Sequence, residues 1–165
     1  MEPYQLRPRD FPLILYRVHY PGSQTRHSQR RGFTAASNFT PYAINGFRNA
    51  VTNHLDWGCK VRSPFISTFR NREHAENWAR RWAFNNDPES CEIVKMRIDW
   101  DDDVMVFRLA YLVDRLGIST SLDRSQIRSE YIFFRRIPSE TILDADTISY
   151  SALGYSESDF EGYDW

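Results

Sequence analysis

Three apolar segments of this chain each carry one chemically capable side chain at or near an end. Arg17 follows the run Leu-Ile-Leu-Tyr, Ser67 follows Phe-Ile, and Glu130 precedes Tyr-Ile-Phe-Phe. A buried guanidinium needs a partner, and arginine pairs bidentately with phosphate where lysine acts as a point charge. Apolar neighbours would hold each segment in the core and so aim its polar residue. The three residues are therefore candidates for one shared site, and the arginine permits a phosphate-bearing ligand.

The elements that would position these residues are three strands, because their apolar runs are short and rich in β-branched and aromatic residues. We place these strands at 11–18, 65–69 and 130–134. Alternation predicts a fourth strand at 91–98, and an edge strand begins near 141.

Capping signals and apolar spacing predict three helices. The first follows Thr40-Pro41 and ends at Gly58. The second is capped by Asn71 and stopped by Asn85-Asn-Asp-Pro88. Its alanines and tryptophans share one face, a stripe that is typical of core. The third runs from Val106 to Leu116.

Composition bounds the class of protein. A length of 165 residues suggests one domain. The formal net charge of −1 argues against a general nucleic-acid binder, which needs an excess of basic residues. Two cysteines without metal-ligand spacing indicate free thiols. No signal peptide or membrane-spanning run is found, so we expect an intracellular, cytoplasmic protein.

Three other polar features have both a structural and a functional interpretation. The basic cluster 26–31 is either a solvated loop or a loop that contacts phosphate. The aspartates at 101–103 indicate a solvated turn, since adjacent side chains diverge and the EF-hand spacing is missing. His54 lies near the end of the first predicted helix. It is either a helix-end histidine or part of the cofactor-binding site.

The three strands together resemble the Arg-Ser-Glu signature of cholera-toxin-like mono-ADP-ribosyltransferases. The motifs are Tyr-Arg-Val around Arg17, Phe-Ile-Ser-Thr-Phe around Ser67, and Ser-Glu-Tyr around Glu130. Residues 13–143 also resemble a fungal domain of unknown function, with an "SPFIS" strand, an Ala/Trp-rich helix and a closing Ile-Pro. The resemblance implies an α+β fold with a split, mostly antiparallel sheet core and packed helices.

Carried over to this chain, the resemblance implies NAD as the substrate and no metal. Arg17 would hold the NAD phosphates or the nicotinamide-side ribose, and Glu130 would accept hydrogen bonds from that ribose. Ser67 would orient the glutamate, Thr68 would shape the nicotinamide pocket, and the backbone of Val18 would clamp the nicotinamide amide. Cleavage of the N-glycosidic bond makes the ribose oxocarbenium-like, and a fixed carboxylate stabilises that charge as it develops.

Two positions depart from the family pattern. Phe69 stands where the strand motif has a second serine, and Arg128 stands where many members carry a Glu or Gln that positions the acceptor. The acceptor is therefore open, and NAD hydrolysis is an alternative to transfer. A second alternative is a non-catalytic module that binds a nucleotide or a protein, with residues 26–31 and the tail as its contact surfaces. A third alternative is a phosphate-transfer enzyme that acts on RNA, which the net charge does not favour.

The sequence predicts a lead-in at 1–10, the ADP-ribosyltransferase-like domain at 11–148 and an acidic, aromatic tail at 149–165. The expected partners are NAD and a macromolecular acceptor, with protein favoured over nucleic acid and no membrane.

Overall fold

A computed structural model describes residues 1–56, 58–86, 90–99 and 104–149. Its main element is a sheet of six strands in the order β6-β7-β4-β1-β5-β9, in which each neighbouring pair is antiparallel. The strands are β1 (Ile14–His19), β4 (Phe65–Phe69), β5 (Ser90–Arg97), β6 (Val106–Arg108), β7 (Glu130–Phe134) and β9 (Ile142–Ser149). The strands that carry Arg17, Ser67 and Glu130 are therefore neighbours at the centre of the sheet.

A second sheet has three short antiparallel strands in the order β2-β3-β8. They are β2 (Arg26–Ser28), β3 (Gly32–Thr34) and β8 (Arg136–Ile137). Gly32 has a φ of 72°, and a Cβ there would lie 2.2 Å from the Ile137 carbonyl oxygen. Only glycine fits so close to another backbone in this conformation, so Gly32 lets β3 approach β8.

Helices cover one face of the main sheet. They are α1 (Ile44–Leu55), α2 (Arg72–Asn86), α3 (Leu109–Leu116) and α4 (Arg124–Ile127). The apolar faces of α1 and α3 pack on β4, β6 and β7 through Phe47, Val51, Leu112, Phe65 and Phe107. The alanine face of α2 packs on β1 and β5 around Val18 and Ile93. The two helical groups thus contact different parts of one face of the sheet.

The small sheet covers the opposite face. Phe33 and Ile137 pack there against side chains from five strands of the main sheet, among them Leu15, Ile66 and Phe133. Burial of large apolar side chains contributes roughly 1.5–3 kcal/mol each, so this layer joins the two sheets firmly. The architecture confirms the predicted α+β class with a split, mostly antiparallel sheet core.

Four sequence-based element predictions need correction. The third helix was predicted to begin at Val106 and begins three residues later, at Leu109, because Val106–Arg108 pairs with β7 as a strand. The predicted loop 118–128 contains α4, whose capping box joins Asp123 and Gln126. The first helix begins after Ala43 rather than after Thr40. The cluster 26–31, expected as a loop, forms β2 and the turn of a hairpin.

Residues 1–10 pack against the domain: the ring centroids of Tyr4 and Phe47 lie 5.7 Å apart, and the Leu6 amide donates to the Val106 carbonyl at 2.9 Å. Neither Cys59 nor Cys91 forms a disulfide, as expected. The aspartates 101–103 and tail residues 150–165 lie outside the described residues. In the described part of the chain, no helix has the length and apolar character needed to cross a bilayer.

Candidate active site

The candidate site is a cleft that opens where two central strands separate. β1 and β4 pair at a single position, Tyr16 opposite Phe69. One residue further along β1, Arg17 donates from Nη1 to the main-chain oxygen of Ser67 at 2.8 Å. The side chain thus bridges the two diverging strands. The cleft has a volume of about 620 Å³, and Arg17, Ser67 and Glu130 all line it. That size is within the range of roughly 300–1,000 Å³ for small-molecule sites.

Glu130 is half-buried at the start of β7, with its carboxylate facing the cleft. It lies directly opposite Phe69 on β4, so Ser67, two residues away on β4, shares its face of the sheet. A hydrogen bond from the Ser67 hydroxyl favours the ionised form of this carboxylate and so lowers its pKa. Burial raises the pKa of Glu130 to about 7, although the Ser67 hydrogen bond and the charge of Arg17 both lower it. Glu130 therefore exchanges its proton near neutral pH.

His54, in the last turn of α1, orients the Ser67 hydroxyl. Its Nε2 lies 2.9 Å from Ser67 Oγ and its Nδ1 lies 2.7 Å from Ser63 Oγ. A serine hydroxyl has one proton to donate. A Ser67 hydroxyl whose proton points to Glu130 accepts at Oγ from an Nε2–H of His54. The neutral ring then accepts at Nδ1 from Ser63, whose oxygen accepts the Phe65 amide at 3.1 Å. The chain of hydrogen bonds therefore runs in one direction and ends on the carboxylate.

Burial supports this tautomer. Desolvation, with a smaller contribution from the positive charge of Arg17, lowers the pKa of His54 to about 4. The ring is therefore neutral at physiological pH and keeps one donor and one acceptor nitrogen. A proton added to Nδ1 would break the bond from Ser63. The structure thus places His54, which the sequence offered as a cofactor-binding candidate, behind Ser67 and on the cleft wall.

Arg17 is a buried cation, 5% exposed. Burial lowers the pKa of Arg17 to about 10, partly offset by Tyr20 and Glu130, so the guanidinium stays charged at neutral pH. The Cζ atom of Arg17 lies 5.1 Å from the centroid of the Phe33 ring. Nε is buried and has no hydrogen-bond partner among the described residues, and no ion pair within 4.0 Å was found for Arg17 there. A buried charge without a close ion-pair partner is costly, so an anion that binds at Arg17 would be stabilised.

The other two predicted site residues are placed differently. Val18 is buried and lines the cleft next to Arg17. Thr68 is fully buried and points to the opposite face of β4, because neighbouring side chains of a strand alternate. Its hydroxyl donates to the Tyr131 carbonyl at 2.8 Å. The structure therefore does not bring the Thr68 side chain into the cleft.

The two positions that depart from the family pattern both lie at the cleft. Phe69 is buried, and its ring centroid is 4.9 Å from that of His74. Arg128 is exposed at the rim, two residues before Glu130. Desolvation lowers the pKa of His74, and the charges of Arg81 and Arg128 lower it further. Two arginines therefore lie near His74 at this end of the cleft.

Aromatic side chains line the same end, including the tryptophans of α2, which the apolar stripe had predicted to lie in the core. Tyr20, Trp78 and Trp82 are partly buried and line the cleft, while the alanines of α2 fill the core beneath. The ring centroids of Tyr20 and Trp82 lie 4.1 Å apart, and those of Tyr20 and Trp78 lie 5.4 Å apart. The sequence signal for this was the mixture of large tryptophans and small alanines in one stripe. A helix that packs closely on a sheet can bury its alanines fully but leaves its tryptophans at the edge of the contact.

Comparison with known proteins agrees with this architecture. The family model "Domain of unknown function (DUF7587)" matches residues 10–153. The search of curated proteins gave no significant match. Among solved structures, EcPltA is similar at a TM-score of 0.56 and 19% identity, over 86% of this chain and 78% of that one. That likeness is distant and shows only that the fold is of the ADP-ribosyltransferase type. The chain belongs to the DUF7587 family, whose match covers most of its length.

Proposed function

We propose that this protein binds NAD in the cleft and cleaves its nicotinamide–ribose bond, passing ADP-ribose to an acceptor or to water. The observation that carries the proposal is the pairing, in one cavity, of a buried and incompletely bonded arginine with a hydroxyl-oriented carboxylate. These are Arg17, Ser67 and Glu130. The fold supports the proposal as an analogy and no further.

Arg17 is suited to a diphosphate. Among the described residues its Nε has no hydrogen-bond partner and no carboxylate lies within 4.0 Å of the guanidinium, and a guanidinium offers five donors. Binding an anion would give the buried charge a counterion. We therefore expect Arg17 to contribute mainly to affinity for NAD, and only through orientation to the chemical step.

Glu130 is suited to a centre that becomes cationic. Its pKa of about 7 leaves a substantial ionised fraction at neutral pH, and the ionised form stabilises an oxocarbenium-like ribose. Ser67 holds the carboxylate in place, and His54 holds Ser67. Since the carboxylate must be ionised for this role, we expect kcat/KM for NAD to rise with pH up to about 7 and then level off.

The rim determines what accepts ADP-ribose. The positive charge of Arg128 beside Glu130 disfavours the approach of an arginine side chain. Arg128 therefore argues against arginine as the acceptor and leaves water and other protein groups.

The test is nicotinamide release from NAD by the purified chain, with and without a cell extract as a source of acceptors. We expect turnover in the wild type and a loss of more than a hundredfold in Glu130→Gln, in the range of effects for one stabilising group. Glu140→Gln is the matched control, because Glu140 is exposed and lies outside the cleft. Labelled NAD separates the two reactions: transfer attaches label to macromolecules, whereas hydrolysis yields free ADP-ribose.

Absence of nicotinamide release under all these conditions would contradict the catalytic proposal. An NAD-dependent thermal shift that is lost in Arg17→Met would then identify a binding module. Absence of both release and shift would also reject NAD as the ligand.

A further inference from the structure

We propose a second site, for a divalent transition-metal ion, built by His19, His27 and Glu92. One ring nitrogen of each histidine and one carboxylate oxygen of the glutamate lie within 4.8 Å of one another. His19 ends β1, His27 is the middle residue of β2, and Glu92 lies on β5 directly opposite His19. The site therefore joins the two sheets.

The surroundings already hold the rings together. The His27 ring stacks on Phe33 with centroids 4.4 Å apart and planes at 19°, and the His19 ring meets His27 edge-on at 5.5 Å. Nδ1 of His19 is buried and has no hydrogen-bond partner in the described part of the chain. Buried ring nitrogens normally have a partner, and a metal ion at or beside this ring would supply or align one.

The ligand chemistry favours zinc or another late first-row ion. Imidazole suits these metals, whereas magnesium and calcium prefer oxygen ligands alone. Three protein ligands leave a fourth position for water. A tetrahedral zinc site separates its ligand atoms by about 3.3 Å, so the widest separation here must shorten. His27 is the ligand able to move, because it is exposed on a three-residue strand.

Such an ion would act on the cleft through Phe33. The Phe33 ring contacts both histidines, and the guanidinium of Arg17 packs on the same ring. A bound ion would hold the β2–β3 hairpin against β1 and β5 and so fix that ring. The positive charge of Arg17 nearby opposes a cation, so we expect micromolar rather than tighter affinity.

The test is titration of the chelator-treated, dialysed full chain with Zn²⁺ by calorimetry, and with Co²⁺ by visible absorption. We expect one ion per chain and the intense Co²⁺ bands of tetrahedral coordination. We also expect affinity to fall by about tenfold or more in His27→Ala and in Glu92→Gln. Glu140→Gln, an exposed glutamate away from the trio, should bind as the wild type does.

Absence of Zn²⁺ binding at a large molar excess would overturn the proposal, and so would binding that neither variant weakens. Equal affinity for Mg²⁺ would reject the histidines as ligands. None of these readouts uses NAD, so they test the metal site independently of the proposed activity.

Discussion

Replacing Glu130 by glutamine should make this protein more stable at high pH while removing its proposed activity. Burial raises the pKa of Glu130 from its ordinary value of 4.5 to about 7. The folded chain therefore holds the proton more tightly than the unfolded chain does. This contribution to stability is complete below pH 4.5 and is lost as the pH rises through 7. At about 1.4 kcal/mol for each pH unit between the two values, the ionised carboxylate costs about 3 kcal/mol above pH 8.

Glutamine stays neutral at every pH, and its side-chain oxygen can still accept from Ser67. The free energy of unfolding of Glu130→Gln should therefore equal that of the wild type near pH 4 and exceed it by up to about 3 kcal/mol at pH 8.5. Urea unfolding followed by tryptophan fluorescence across this range measures the difference. Glu140→Gln serves as the control, and it should follow the wild type at each pH.

A difference between Glu130→Gln and the wild type that does not change with pH would refute the reasoning. It would mean that the folded chain does not hold the Glu130 proton more tightly. Both proteins contain His54, so its own titration cancels in the comparison.

Three other perturbations test separate parts of the site. Because burial lowers the pKa of His54 to about 4, protonation of His54 opposes the stability that protonated Glu130 contributes at low pH. Between pH 6.5 and 4 the free energy of unfolding of His54→Gln should therefore rise by up to about 3 kcal/mol relative to that of the wild type, measured by urea unfolding. Nicotinamide release should be retained better by His54→Gln, whose amide can donate to Ser67, than by His54→Ala, and equal loss would contradict the inferred direction of the hydrogen bonds. Thr68→Val should lower the free energy of unfolding by about 1–3 kcal/mol, because the Tyr131 carbonyl loses its partner, yet leave the KM for NAD unchanged; a raised KM would return Thr68 to the nicotinamide pocket. Gly32→Ala should destabilise by more than about 2 kcal/mol in urea, from a strained φ and a backbone clash, and a near-neutral result would mean that the hairpin shifts freely.

Local sequence was enough to predict the long elements. The strands that carry Arg17, Ser67 and Glu130 are continuous apolar runs, and α2 has a clear apolar stripe. The strands were recognised by their short β-prone apolar runs, and α2 by its helical period. The convergence of the three side chains came from a resemblance, because no local rule determines strand order.

The missed features depend on contacts between distant segments. β2, β3 and β6 have three residues each, too few for a period, and are strands because of the partners they pair with. The hydrogen-bond chain through His54 joins residues from a helix end, a loop and two strands. The capping box of α4 is the exception, since Asp123 and Gln126 were a legible start signal.

The tight approach at Gly32 has a consequence for mutational maps of this protein. A saturation screen for activity would find position 32 intolerant, because any side chain there collides with the backbone of residues 137–139. Yet Gly32 does not line the cleft, and its loss would act by displacing the hairpin that carries Phe33 beneath Arg17. A map scored by activity alone would rank Gly32 beside Glu130, and only a parallel measurement of protein abundance would separate the two.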